Sequence, residues 1–263
     1  MKPIMHSRNQ RNLWKRTQRF AAMAALSAII SGGALAQDLT LDQVLAKNEA
    51  AVSGSTAINQ VQTLRLTTST TLGSDPAKIA MTITLKRPNL TRTDSFSQGK
   101  ALASGFDGSS AWVSNPATGV AETMNLGKTA SGSLTSFQID GILGSLNGIL
   151  SGQQTHLMGV EALQGTNTYH IQAMRTDGIV SDYYVDQTTY LIVKSAAQIP
   201  QDNGVQTVES YPTDYRKVNG LMCAYSLDVK IAGQSVFQKQ VQQVEINPPI
   251  DDSIFKMPST PVK

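Results

Sequence analysis

The sequence predicts a mainly β (α+β) protein, with a single curved antiparallel sheet that has one apolar face and is accompanied by a few helices. Apolar and polar residues alternate from Ile79 to Leu85 and again from Cys223 to Ile231, as strands of such a sheet require. Turn-forming pairs such as Asp107-Gly108, Asp177-Gly178 and Asn219-Gly220 recur between the strand-like segments. Helical patterns do not alternate with the strands, so we expect antiparallel rather than parallel pairing.

The first 36 residues have the pattern of a secretory signal peptide. Six basic residues precede an apolar run from Phe20 to Ile30, and Ala34-Leu35-Ala36 forms a small-residue cleavage site. We expect cleavage to leave Gln37 as the N-terminus, with an uncleaved membrane tether as the alternative. Without this leader the chain keeps 16 basic and 19 acidic residues, so the net charge changes from +3 to −3. Such a charge argues against a nucleic-acid partner.

Residues 37–263 are expected to form one domain, because no linker or shift in composition divides them. Cys223 is the only cysteine, so no internal disulfide can hold the fold together. Alternation places Cys223 on the apolar side of its strand, where it would act as a small hydrophobic residue rather than a reactive thiol. We therefore expect a soluble periplasmic monomer whose fold depends on its apolar core.

Two segments depart from the alternation and are predicted to be helical. The first runs from Thr40 to about Val52 and starts with a capping-box pattern of Thr40 and Gln43, and a further helical turn is expected near residues 56–61. The second has a helical stripe of apolar residues between Ile139 and Leu150, interrupted by three glycines that weaken a helix. This segment is predicted to be a mobile cover of the sheet, and an ordinary packing helix or a partly irregular loop is the alternative.

Residue patterns that would indicate an enzyme are missing from the sequence. It contains neither a G-x-S-x-G nucleophile motif nor a glycine-rich phosphate loop. His156 and His170 do not have zinc-binding spacing relative to acidic residues. We expect a binding protein without cofactor, metal or catalytic activity, although a triad could still assemble from distant residues.

Two ordered sets of motifs extend over most of the chain after the leader. The first set is Lys86-Arg87-Pro88-Asn89, then Asp107-Gly108, and then Trp112 with Asn115-Pro116. The second set consists of Tyr184–Lys194, Asp214–Gly220 and Ile254–Pro258. Together they resemble the LolA-like family of periplasmic outer-membrane lipoprotein-sorting proteins. One departure is Cys223, which stands where related sequences often have proline.

This resemblance implies an incomplete antiparallel β-barrel whose open apolar side is covered by helices. An apolar cavity between the sheet and the helices would bind the acyl chains of lipoproteins or free lipids. The family function would be transport: a carrier and chaperone that is loaded by one membrane-bound protein and delivers its cargo to a receiving protein at the outer membrane. The alternative on the same fold is a periplasmic regulatory protein that senses lipids or lipoproteins.

The predicted ligand-binding residues lie on the strand before Pro88, at one tryptophan and on the second helical segment: Ile79, Met81, Ile83, Leu85, Arg87, Trp112, Ile142, Leu143 and Leu146. Arg87 shares the parity of the four apolar strand residues, so it is expected to point toward the apolar face.

The resemblance implies that Arg87 bonds to the covering helices in the closed state, and backbone carbonyls or hydroxyls are the expected acceptors. The alternative is that its long side chain reaches water at the end of the strand. For Trp112 the alternatives are lining the cavity or filling the sheet core, and core packing is favoured.

Overall fold

The computed structural model describes residues 39–53, 58–115, 117–124, 138–201 and 204–262. The predicted signal peptide, residues 1–36, lies outside these described ranges. Within them, the first half of the sheet consists of β1 (Thr63–Leu72), β2 (Ile79–Lys86), β3 (Leu90–Ser97), β4 (Lys100–Phe106), β5 (Ala111–Ser114) and β6 (Ala121–Met124). The second half consists of β7 (Gln154–Leu163), β8 (Thr166–Met174), β9 (Val180–Asp186), β10 (Ile192–Gln201), β11 (Gly204–Val218), β12 (Leu221–Ile231) and β13 (Gln234–Ile246).

The described helices are α1 (Leu41–Ser53), α2 (Gln138–Leu143) and α3 (Leu146–Ile149). Short 3-10 turns occur at Ile58–Gln60 and Asp252–Phe255. None of the helices in the described ranges is long and apolar enough to cross a membrane.

All thirteen strands belong to one curved sheet, in the order β6-β5-β4-β3-β2-β1-β13-β12-β11-β10-β9-β8-β7. Each neighbouring pair is antiparallel. The first and last strands pair at the centre, whereas β6 and β7 form the two edges, so the barrel is not closed. The predicted fold class, an incomplete antiparallel barrel with a few helices, is confirmed.

The turn chemistry explains the hairpin connections that the sequence predicted. Asn219 and Gly220 both have positive φ, +48° and +85°, as a two-residue turn between β11 and β12 requires. Between β4 and β5, the Asp107 carboxylate accepts hydrogen bonds from the backbone N–H groups of Ser110 and Ser109. These bonds, with that of Ser110 the stronger, hold the pKa of Asp107 below its ordinary value.

Helix α1 begins with the predicted capping box. The Thr40 hydroxyl accepts a bond from the Gln43 N–H at 3.3 Å, and the Gln43 side chain accepts one from the Thr40 N–H at 2.9 Å. The helix then buries Val44 and Val52 against the sheet. The predicted helical turn after it is present as the 3-10 turn Ile58–Gln60.

The second helical segment differs from a continuous helix, because it is divided into α2 and α3 at Gly144. Gly144 has φ +68°, its N–H bonds to Gly141 O, and the Ser145 N–H bonds to Asp140 O at 2.9 Å. This pair of bonds is the Schellman arrangement that ends a helix at a left-handed glycine. Ser145 then caps α3 by accepting a bond from Gly148 N. The glycine pattern therefore ends one helix and starts another.

Two apolar clusters of the described core lie on the helix-covered side of the sheet. One cluster joins β1, β2, β12 and β13 to Val52 of α1 and to Ile139 and Leu143 of α2. The other joins β8, β9 and β10 to Val44 of α1 and to Leu146 of α3. Since α1 contributes to both clusters, it connects the central strands of the sheet to β8, β9 and β10.

Candidate functional site

The four predicted strand residues lie on one face of β2. In the register with β1, Leu85 lies opposite Leu64, Ile83 opposite Leu66, Met81 opposite Thr68 and Ile79 opposite Thr70. Directly opposed residues point to the same side of a sheet, so all eight side chains share one face. We call it the inner face, because its Leu64, Leu66 and Leu85 pack against α1 and α2.

The predicted helical residues are divided between the two clusters. Leu143 is fully buried in the cluster that contains Leu85, and the partly buried Ile142 packs against it, as does Ile83 of β2. Leu146 instead belongs to the cluster around β8, β9 and β10. Helix α2 therefore covers the Leu85 end of the inner face, and the role of these residues in ligand binding stays a prediction.

Arg87 joins the sheet to the helical cover. Its Nη2 lies 2.5 Å from Asp140 Oδ1 and its Nη1 lies 3.0 Å from Oδ2, while Nε donates to Val61 O at 2.9 Å. The acceptor on α2 is thus a carboxylate, and not a backbone carbonyl or hydroxyl as we expected. A bidentate pair of this kind combines charge with a fixed geometry. Sequence reasoning missed Asp140, although the one acidic residue within the segment Ile139–Leu150 is a usable signal.

Gly148 provides the space that this ion pair needs. A Cβ atom on Gly148 would overlap the carboxyl group of Asp140. Helix α3 can therefore approach α2 closely only with glycine at this position. Gly148 was predicted to weaken a cover helix, and in the structure its lack of a side chain leaves room for the Asp140 carboxyl group.

Helix α3 is attached to α1 by neutral and charged hydrogen bonds. The fully buried Asn48 accepts a bond from the Leu146 N–H at 2.9 Å and donates one to Tyr190 O at 2.8 Å. Glu49 accepts a bond from the Ser145 hydroxyl at 3.1 Å. A polar cleft of about 900 Å³ opens here, and its lining includes Glu49, Arg87, Asp140, Asn147, Gln153 and Arg175.

An apolar cavity of about 280 Å³ lies beneath the break between α2 and α3. Its walls come from Gly141 and Gly144 on the helix side and from strands β9 to β12, including Tyr183, Ile192, Tyr215 and Leu227. Tyr215 donates its hydroxyl to Ile192 O at 2.7 Å, and burial raises its pKa strongly. The predicted β2 residues do not line this cavity. The cavity therefore lies against strands β9 to β12, whereas the sequence had indicated a cavity at β2.

Trp112 is buried and lines neither the cleft nor the cavity. Its side chain is 1% exposed, and its Nε1 donates to Phe255 O at 2.8 Å. A Cβ on Gly105 of the neighbouring strand would overlap the indole ring, so the fit is tight. Trp112 is therefore tightly packed between neighbouring elements, and a contact of its ring with ligand stays a prediction.

Two further observations concern ionisable and metal-binding side chains. Cys223 is fully buried, and burial raises the pKa of its thiol to about 11, which keeps it protonated. Within the described ranges no group of three or more His, Cys, Asp or Glu side chains could hold a metal ion.

No protein-family model matches this sequence, and no curated protein matches it. Solved structures match the fold. An outer membrane lipoprotein-sorting protein domain from Vibrio parahaemolyticus aligns with a TM-score of 0.55 and 11% identity over 81% of this chain and 94% of its own. A LolA superfamily protein from Nitrosomonas europaea aligns with a TM-score of 0.53 and 14% identity, over 83% of this chain and 98% of its own. A DUF1329 family protein from Desulfovibrio piger aligns with a TM-score of 0.54 and 15% identity, over 81% of this chain and 97% of its own.

These identities support a statement about fold alone. The similarities extend over nearly the whole length of each solved chain, and they agree with the unclosed sheet and its helical cover. This protein therefore has the LolA-like fold that its sequence motifs predicted.

Proposed function

We propose that this protein binds the acyl chains of lipoproteins or free lipids and carries them through the periplasm toward the outer membrane. The observation that supports this most is the Arg87–Asp140 pair, which joins α2 to the sheet beside an apolar interior. The fold shared with a lipoprotein-sorting domain supports the same cargo class. The signal-peptide pattern of residues 1–36 supports export. Binding and release, without catalysis, are sufficient for this role.

The hydrophobic effect explains why such a carrier needs a cover. Each methylene group removed from water contributes about 0.8 kcal/mol, so an acyl chain of about fifteen methylenes represents roughly 12 kcal/mol. A protein that offers an equivalent apolar surface must hide that surface when it is empty, because a large exposed patch leads to association. Helix α2 already buries Ile139 and Leu143 on the inner face, as a closed empty state requires.

The contacts around the cover suggest which part moves. Helix α2 is six residues long and ends at the left-handed Gly144, and among the described residues its only ion pair to the sheet is Arg87–Asp140. Helix α3 is fixed to α1 through the buried Asn48. We expect α2 to leave the inner face when lipid binds, while α1 and α3 stay in place.

Membrane-bound loading and receiving proteins would then shift the equilibrium between the closed state, with α2 on the inner face, and the open state that holds lipid. A loading partner would separate Arg87 from Asp140, and a receiving partner would accept the chain as the pair re-forms. The carrier itself is expected to act as a monomer.

Native mass spectrometry of the mature protein, purified from the periplasm without detergent, tests the proposal. The expected result is co-purified lipid or acylated peptide at up to one molecule per chain. A protein that is empty after purification and that also fails to bind a fluorescent lipid probe would contradict the proposed function.

A further inference from the structure

The inner face of β1 carries two threonines with unpartnered hydroxyl groups. Thr68 and Thr70 follow Leu64 and Leu66 along the same side of the strand, and they are 0% and 1% exposed. Neither Oγ1 atom has a hydrogen-bond partner in the part of the chain that the structure describes. Buried hydroxyl groups are nearly always paired in proteins, so two adjacent exceptions on one face require an explanation.

A lysine lies beside these threonines. In the register of β13 with its neighbours, Lys239 is opposite Thr70 of β1 and opposite Leu227 of β12, so it points to the inner face. The residues two positions away on its own strand are Phe237 and Val241, which are apolar. No ion pair or hydrogen bond of the Lys239 side chain is found among the described residues.

Burial affects the charge of this lysine. Removal from water lowers the pKa of Lys239 below its ordinary value of 10.5, and none of its register neighbours is a carboxylate that could oppose the effect. A partly buried ammonium group with apolar neighbours is unfavourable unless an anion pairs with it. Among the described residues none supplies such an anion at this position, so a ligand that brings one would gain a charge-assisted contact.

The geometry points to a subsite for an anionic head group: we propose that Lys239, Thr68 and Thr70 bind the carboxylate or phosphate of an acidic amphiphile whose acyl chain lies along the inner face. This proposal rests on the proposed function and narrows its cargo class to an acidic lipid. An ammonium group and two hydroxyl groups supply several hydrogen-bond donors, which suits anionic oxygen atoms.

The dimensions of the face fit such a ligand. Thr70 lies six residues beyond Leu64, so the subsite is about 20 Å from the end of the face that α2 covers. The next inner-face residue of β1, Leu72, is 49% exposed and marks the rim. A head group at Lys239 would be near water, while the chain would extend over Met81, Ile83 and Leu66 toward α2.

The test is displacement of a fluorescent lipid probe from the mature protein by ligands of matched chain length. One arm uses a long-chain fatty acid, a second a monoacyl glycerol phosphate, a third the neutral long-chain alcohol, and a fourth inorganic phosphate without a chain. Both acidic lipids are expected to bind at least about tenfold tighter than the alcohol, as a charge-assisted contact allows. Inorganic phosphate is expected not to displace the probe.

Variants assign this preference to the subsite. Lys239→Met should lose the preference for acidic lipids while it still binds the alcohol, and Lys239→Arg should keep it. Thr68→Val with Thr70→Val, which retains side-chain shape, should reduce it. The matched control is Lys217→Met, since Lys217 is an exposed lysine of β11 and its loss changes the net charge equally.

The outcomes separate this inference from the proposed function. If acid and alcohol bind wild type equally, or if Lys239→Met keeps the preference, the head-group subsite is wrong while lipid binding stands. If inorganic phosphate displaces the probe as well as the lipids do, the site is for a free anion and the inference is also wrong. If none of the chain-bearing ligands binds, both proposals fail together.

Discussion

The charged groups at the two ends of the inner face differ in whether they have a hydrogen-bonding or charged partner. At the end near α2, the guanidinium group of Arg87 is matched by the Asp140 carboxylate and the Val61 carbonyl. At the other end, the ammonium group of Lys239 and the hydroxyl groups of Thr68 and Thr70 have no partners within the described residues. The first arrangement is complete within the chain, whereas the second is the proposed subsite, which an anionic head group would complete.

This difference separates a contact that closes the molecule from groups that are left for cargo. A paired charge stabilises the state in which the pair forms, so it can favour the closed, empty protein. Unpaired buried groups lower the stability of the empty protein and increase the gain when an anion binds.

The largest effect is expected at Asn48, which fixes the cover next to the paired end. Asn48→Ala leaves the Leu146 N–H and the Tyr190 carbonyl without their partner and should lower the free energy of unfolding by about 3 kcal/mol. Chemical denaturation measures this change. The control is Asn147→Ala, because Asn147 is exposed and makes only a 3.4 Å contact with Glu49. Similar losses for both variants would show that Asn48 is not an anchor.

The Arg87–Asp140 pair is expected to control release. Arg87→Leu removes the contact that favours the closed state and adds apolar surface, so the loaded state should gain about 1–3 kcal/mol. Lipid retention should then be roughly five- to a hundred-fold tighter, as measured by displacement of a fluorescent lipid probe.

Arg65→Leu is the matched control for Arg87→Leu. Arg65 of β1 forms a 3.5 Å ion pair with Glu245 of β13 on the outer side of the sheet, where its side chain is 32% exposed. An exposed pair of this kind contributes little, so retention should stay at the wild-type level. If Arg87→Leu retains the lipid probe as weakly as wild type or more weakly, the Arg87–Asp140 pair does not favour the closed state.

Gly148→Ala tests the space beside the ion pair. The added methyl group would meet the Asp140 carboxyl, so the free energy of unfolding should fall by about 1–2 kcal/mol as the carboxyl shifts. Lipid should also bind faster, because the displaced Asp140 holds α2 less firmly. Stopped-flow mixing with the lipid probe measures the rate. Unchanged stability and rate would mean that α3 is free to move away from α2.

The smallest effect is expected at the unpaired end, and it depends on pH. Burial holds the folded-state pKa of Lys239 below its unfolded value of 10.5. The whole energetic penalty of burying the charged lysine is therefore present at neutral pH. This penalty disappears as the pH rises through the folded pKa toward 10.5.

Lys239→Met should therefore be more stable than wild type at pH 7, by less than about 1 kcal/mol for a partly exposed group. The difference in unfolding free energy between variant and wild type should shrink as the pH rises from neutral to 10.5. A variant that is less stable at neutral pH, or a difference that is constant with pH, would show that Lys239 is well solvated.

Local patterns were sufficient to predict much of this fold. Alternation identified β2 and β12, dipeptides such as Asn219-Gly220 identified turns, and Thr40 with Gln43 identified the start of α1. Parity alone also directed Arg87 toward the inner face. These features depend on neighbours within a few residues of one another, so the sequence contains them explicitly.

Features that depend on distant residues could not be obtained in this way. Asp140 is 53 residues from Arg87 in the sequence. The close contact of Gly148 with Asp140, which leaves no room for a Cβ atom, depends on how α2 and α3 pack. Lys239 is an intermediate case. Its place between Phe237 and Val241 gives it the same apolar parity that made Arg87 conspicuous, but its pairing with Thr70 needed the register of β1 and β13.

Hydrogen exchange of residues 138–143, measured by mass spectrometry with and without bound lipid, tests the central claim most directly. If α2 covers the inner face of the empty protein and leaves it for the cargo, its amide hydrogens should exchange faster when lipid is bound. Exchange in α1, Leu41–Ser53, should stay unchanged because α1 is fixed by the buried Asn48. Equal or slower exchange of α2 in the loaded protein would contradict the account.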